Sequence, residues 1–214
     1  MDIQAAVERL STQLPLKARQ DQLPPAVKKL HQDILYSFIR YGRPPTREEL
    51  GATLAPGELA KGLQRLGDED LIVLDDAGQT PLGAYPVTSE PTPHEVTVQS
   101  KTFHAMCALD ALSVAPMFDV AVSIRSRCHV NNTSIRIDMQ GDTLLDIRPD
   151  ETMVGIRWQM PTSVAAHSMC MEMIFLENRA TAEGWQDGDT ENISLFTLPE
   201  AVAFGKDFFL PLMA

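Results

Sequence analysis

Leu71-Ile72-Val73-Leu74-Asp75-Asp76-Ala77-Gly78 is where the chain changes its periodicity. Four apolar residues in a row read as a short buried strand, and the Asp-Asp-Ala-Gly run reads as the turn after it. Upstream the pattern is helical. Residues 2–14 and about 26–40 carry apolar residues three and four apart, among them Val27, Leu30, Ile34, Leu35 and Phe38. Pro24-Pro25 precedes the second run, where proline is tolerated. Gly42-Arg43-Pro44-Pro45 then breaks the chain. Thr46-Arg47-Glu48-Glu49 is a capping-box pattern that predicts a short helix to about Thr53. Ala55-Pro56-Gly57-Glu58 opens another helix that ends near Gly67. Three helices followed by a small β-hairpin is the order of a winged-helix module.

Downstream of the turn, residues 81–93 are rich in Pro, Thr and Ser and read as a link into a second unit. Glu95-Val96-Thr97-Val98-Gln99 alternates as a strand, and residues 104–117 read as a buried helix. Strand periodicity returns at 120–126, 134–139, 154–158, 171–176 and 192–198. Pro199 opens a last helix through Phe204 and Phe208. The expected fold is α+β. A helical, winged-helix-like lobe spans 1–80, and a core of mainly antiparallel sheets with flanking helices spans 81–214.

The 214 residues, 44% of them hydrophobic, are enough to bury a sizeable core. With 29 acidic against 18 basic residues the formal net charge is -11. That balance argues against nucleic acid as a partner in spite of the winged-helix order, because phosphate contacts need clustered Lys and Arg. It is equally poor for an anionic membrane surface, and no apolar run approaches the ~20 residues of a membrane span. Met1-Asp2-Ile3-Gln4 lacks the basic-then-apolar order of a signal peptide, so a cytoplasmic location with reduced thiols is expected.

Three cysteines, Cys107, Cys128 and Cys170, can be weighed one by one. Cys107-Ala108-Leu109-Asp110 places a thiol and a carboxyl on one helical face, a turn apart, among uncharged neighbours. A carboxyl in such surroundings tends to hold its proton toward neutral pH. A thiol in the first turn of a helix tends the other way, toward thiolate. The two together suit nucleophile and acid–base work. Burial as a small hydrophobe is the competing reading of both Cys107 and Cys170, although a buried Asp110 needs a partner or a role. Cys128 lies beside His129, but no Cys-x-x-Cys or spaced Cys/His set supports a zinc site.

These residues resemble the organomercurial (alkylmercury) lyases of bacterial mercury resistance. The resemblance is carried by Tyr85-Pro86-Val87-Thr88, Pro91-Thr92-Pro93-His94-Glu95-Val96, and His104-Ala105-Met106-Cys107-Ala108-Leu109-Asp110-Ala111-Leu112. It continues through Cys128, Cys170, Phe175, Thr181-Ala182-Glu183-Gly184-Trp185 and Glu200-Ala201-Val202-Ala203-Phe204-Gly205. It implies protonolysis of a carbon–mercury bond to a hydrocarbon and Hg(II). Cys107 and Cys170 would hold the mercury, Asp110 would move a proton from a thiol to the leaving carbon, and Cys128 would stay outside the chemistry. No permanently bound cofactor is implied. External low-molecular-weight thiols would be needed for turnover and product release, with a mercuric reductase as candidate recipient of the Hg(II). Two departures stand out. Met106 occupies the place before the first cysteine where the family often has an aromatic residue, and Met171 follows Cys170 where relatives sometimes carry another cysteine. A non-catalytic thiol-based metal-binding protein and a metal-sensing winged-helix regulator are the alternative readings. Retention of Asp110 argues against the first and the acidic charge against the second.

Overall fold

Prolines and capping side chains set where the helices of the N-terminal part begin. In the computed structural model, which describes residues 2–214, α1 (Ile3–Gln13) is followed by α2 (Leu16–Asp21), a short helix that the periodicity does not reveal. Pro25 occupies the first turn of α3 (Pro25–Tyr41), and Gly42 ends that helix in a left-handed conformation (φ 69°). The Thr46–Glu49 capping box forms as expected and starts α4 (Arg47–Gly51). A second proline start gives α5 (Pro56–Asp68). Leu30, Ile34, Leu35 and Phe38 of α3 are fully buried, with Leu59, Leu63 and Leu66 of α5 close behind. The strand β1 (Ile72–Leu74) then pairs antiparallel with β2 (Pro81–Ala84), so the hairpin follows the helices in the winged-helix order.

The fold is α+β, as expected, but the stretch at 81–93 is not a plain link. It supplies β2 and β3 (Val87–Thr88), and both join the main sheet. Pro81 is the first residue of its strand, a position where the missing N–H is tolerated. The sheet continues through β4 (Glu95–Val98) and β5 (Lys101–Ala105), so the helix predicted from residue 104 starts later. It is α6 (Ala108–Phe118), preceded by a strand whose apolar end merges in sequence with the helix. After α6 come β6 (Ala121–Arg127), β7 (Ser134–Gln140) and β8 (Thr143–Arg148). The eight strands run in the order β1-β2-β3-β5-β4-β6-β7-β8, every neighbouring pair antiparallel.

A second sheet has β9 (Met153–Arg157) at its centre, flanked by β10 (Met173–Leu176) and, beyond α7 (Arg179–Gln186), by β11 (Ile193–Thr197). Met171, which the alternation places in a strand, sits in a 3-10 turn (Met169–Glu172) that leads into β10. The last helix, α8 (Leu198–Phe209), begins at a Thr197–Glu200 capping box.

Helix α6 is the centre of the molecule rather than a flanking element. Every residue from Ala108 to Met117 is buried, as a helix that is apolar all round requires. It packs against β3, β5, β6 and β7 of the large sheet, against β10 of the small one, and against α8. The α6–α8 approach depends on Gly205. A Cβ there would lie 2.2 Å from Ser113 Oγ, which is itself fixed by donating to the Leu109 carbonyl at 2.6 Å. Gly205→Val is therefore expected to overpack this crossing and lower stability by about 3 kcal/mol. Urea denaturation checks the effect, with the midpoint shifted and the slope unchanged.

Candidate active site

Asp110 sits in the first turn of α6 and Cys107 is the residue that caps it. Cys107 is extended (φ -151°, ψ -179°), and its Sγ accepts the Asp110 amide N–H at 3.3 Å. The spacing of three thus works through the cap. The chain leaves β5, turns at Met106 and Cys107, and enters the helix with thiol and carboxyl together. Cys170 arrives from much later in the sequence on the 3-10 turn ahead of β10, the strand that packs on α6. One ligand atom from each of Cys107, Asp110 and Cys170 lies within 4.8 Å of the others. Among the described residues this is the one group of three or more His, Cys, Asp or Glu side chains that meets so closely. The structure therefore brings together all three residues singled out in the sequence. Cys128 is also buried, but it stands outside the cluster. All three cysteines are free thiols.

Burial governs the protonation of this cluster. Cys107 is 1% exposed, Asp110 2% and Cys170 4%. Burial raises the Asp110 carboxyl to about 7, against hydrogen bonds from Cys107 and Cys170 that favour its charged form. One carboxyl oxygen, Oδ2, is buried with no partner. The expected drift of Cys107 toward thiolate does not occur. Burial, together with Cys170 and Asp110, pushes its thiol well above the ordinary value, and the cap contact from the Asp110 amide does not offset this. A helix terminus favours a thiolate only where solvent or a counter-charge remains to stabilise it. For Cys170 the Cys107 thiol is a lowering influence, but burial and the nearby Asp110 and Asp70 raise it overall. The cluster is thus a pair of protonated thiols beside an acid poised near neutrality.

A cavity of about 410 Å³ leads to the cluster. Of the three clustered residues, Cys170 is the one that lines it. Met106, Met173, Phe175, His94 and Cys128 form much of the remaining surface, which is mainly apolar and soft. The Met173 thioether sits 3.8 Å from Cys107 Sγ, a third sulfur beside the pair. His94 contributes a neutral imidazole. Its ring is 5.6 Å from that of Phe175, Nδ1 meets Ser126 Oγ at 2.9 Å, and burial lowers its pKa to about 4. Two further lining residues, His167 and Glu90, bring Nε2 and Oε2 to 3.2 Å of each other.

Several of these lining residues were within reach of the sequence. Met106 and His94 flank the cysteine motif, whereas Met173 and His167 have no local signal, since their roles come from a turn that folds back over the helix.

Comparison with known proteins now adds to this geometry. The model of the alkylmercury lyase family matches residues 87–210, a span that contains Cys107, Asp110, Cys128 and Cys170. An alkylmercury lyase of Bacillus cereus is 28% identical over 184 residues, covering 85% of this chain and 81% of that relative. One of Staphylococcus epidermidis is 27% identical over 173 residues, covering 80% and 78%. Among solved structures, the mercury-bound form of MerB2 superposes with a TM-score of 0.76 at 22% identity, over 92% of this chain and 98% of that one, a likeness of fold.

Proposed function

The chain belongs to the alkylmercury lyase family, and from that premise we propose that its buried Cys107–Asp110–Cys170 cluster is where carbon–mercury bonds are cleaved. The enzyme is an organomercurial lyase. The observation that carries the assignment of residues is the meeting of two thiols and one carboxyl within 4.8 Å at the end of an apolar cavity. Mercury is a very soft ion, and sulfur is the softest donor a protein offers.

The steps follow from access and proton affinity. Cys170, which lines the cavity, meets the organomercurial first. Its sulfur displaces the external thiol, and its proton leaves with that thiol. Cys107 then gives its proton to the Asp110 carboxylate and adds to the mercury as a second sulfur donor. Electron density from two thiolates weakens the carbon–mercury bond. Asp110 delivers the proton to the carbon as that bond breaks, which releases the hydrocarbon and leaves Hg(II) between Cys107 and Cys170. An acid near 7 suits both halves of this shuttle, because it takes a proton and gives it up with little driving force lost. External low-molecular-weight thiols then remove the metal and return the two protons, with a mercuric reductase as a candidate acceptor. No helix of the described residues is long and apolar enough to cross a membrane, and a cytoplasmic setting, where such thiols are abundant, fits the chemistry. The unit 1–80 is proposed as a lobe that supports the core 81–214, although the main sheet runs across that boundary.

Incubation with phenylmercury and excess thiol tests this reading. Catalytic release of benzene is expected. Stoichiometric uptake of mercury with no hydrocarbon would overturn it in favour of a sequestering protein.

A further inference from the structure

Cys170 sits on a surface turn, yet its sulfur must stay within chelating distance of a cysteine on a rigid, buried helix. The turn that carries it is held from an unexpected direction. Two residues from far earlier in the sequence, Asp70 and Tyr85, grip the segment just ahead of it. The Tyr85 hydroxyl donates to Asp70 Oδ1 at 2.9 Å and accepts the Ala166 amide N–H at 2.9 Å. Asp70 Oδ2 accepts the adjacent Ala165 amide N–H at 3.2 Å. Two successive amides are thus fixed by one phenol–carboxylate pair, four and five residues before Cys170.

The pair is itself rigid. Tyr85 is 1% exposed, at the end of β2. Asp70 has a left-handed backbone (φ 51°) just beyond α5, and Arg19 of α2 reaches both the Glu69 carbonyl at 2.9 Å and Asp70 Oδ2 at 4.0 Å. Burial first, then Cys170 and Asp70, push the phenol's pKa up, in keeping with its role as donor to Asp70. Other side-chain ties to this segment are the partly exposed ion pairs of His167 with Glu90 and Arg157 with Glu172, which contribute little to holding a geometry, and a long 3.5 Å contact from Gln159 Nε2 to the Ser168 carbonyl. The clamp is the more enclosed and the shorter-range tie, fixing two successive amides through the Tyr85–Asp70 pair.

We infer that Tyr85 and Asp70 are positioning residues for Cys170, and that through Asp70 the N-terminal lobe helps complete the mercury-chelating pair. The inference rests on the reading of Cys107 and Cys170 as joint ligands of mercury. Without the clamp, Cys170 would still capture an organomercurial from the cavity. It would not hold it where Cys107 can add and Asp110 can reach the carbon.

Tyr85→Phe tests this, because it keeps the ring and removes both hydrogen bonds. With phenylmercury and excess thiol, kcat is expected to fall on the order of a hundredfold, the cost of about 1 Å of misplacement, with KM little changed. X-ray absorption of the Hg(II) complex should count two protein sulfurs in the wild type and one in the variant, a readout that general loss of stability does not move. Asp70→Asn, whose single carbonyl oxygen replaces only one of the two acceptors that face the Tyr85 hydroxyl and the Ala165 amide, should lose on the order of tenfold. It carries the test alone if Tyr85→Phe does not fold. Wild-type kcat in either folded variant overturns the inference, and so does a two-sulfur complex in Tyr85→Phe or a defect confined to KM. Failure of the wild type itself to release benzene would instead remove the underlying lyase assignment.

Discussion

Cys107→Ser is expected to lower turnover of phenylmercury by at least about a thousandfold, the loss of roughly 4 kcal/mol of transition-state stabilisation. The reason is the second donor. Cys170 faces the cavity and can still exchange with the incoming thiol adduct, so the variant should accumulate an intact phenylmercury–protein adduct of one to one. Without Cys107 there is no second thiolate to labilise the carbon–mercury bond and no thiol proton for Asp110 to pass on. A serine hydroxyl is too hard a donor and too weak an acid to replace either function. Cys170→Ser should be equally inactive but for a different reason. Cys170 is the cluster thiol that lines the cavity, so uptake itself should fail and little adduct should form. Intact-protein mass spectrometry separates the two cases. Full activity in either variant would remove the proposed division of labour, and equal adduct formation in both would remove the proposed order of entry.

Asp110→Asn should abolish hydrocarbon release and, at the same time, make the protein more stable at alkaline pH. The folded state raises the Asp110 carboxyl from 3.8 to about 7, which means the fold favours its proton. Stability from this group is fully present below about pH 4 and is lost as pH rises through 7. At pH 8 the folded protein therefore bears a cost on the order of 4 kcal/mol from a buried carboxylate with an unpartnered oxygen. Asparagine has nearly the same shape and no charge, so it relieves most of that cost. Thermal melts at pH 8 should favour the variant by several degrees, and the difference should vanish toward pH 4. The buried His31 and His94, both lowered to about 4 by burial, titrate alike in the two proteins and do not disturb the comparison. A variant less stable than the wild type at pH 8 would show that the carboxylate is compensated in a way the structure does not contain. An active one would show that the proton comes from elsewhere. The two effects together describe a group kept at the expense of stability for the sake of reactivity.

The sequence made the chemistry more legible than the geometry that delivers it. Cys107 and Asp110 are local, three residues apart, and the capping residues Thr46 and Glu49 mark a helix start from their own chemistry. Strand β8 escaped because Thr143-Leu144-Leu145-Asp146-Ile147-Arg148 has no period-two alternation, and half-exposed edges do not need one. The strand β5 was absorbed into the helix because Phe103, Ala105 and Met106 are as apolar as the helix they precede. Most of all, burial is collective. A thiol at a helix start reads as reactive by itself, and its suppression as a thiolate depends on β10 and Cys170 closing over it from more than sixty positions away. The grip of Asp70 on Ala165 spans 95 positions and leaves no trace in either neighbourhood.

The most direct test of the account is a single turnover without external thiol. Wild-type protein is mixed with an equal amount of phenylmercury, benzene is quantified, and the sulfur neighbours of the retained mercury are counted by X-ray absorption. The account predicts one benzene per chain and a mercury held by two sulfurs, with the count falling to one and benzene absent in Cys107→Ser. Benzene released at one per chain from a mercury that has a single protein sulfur would contradict it.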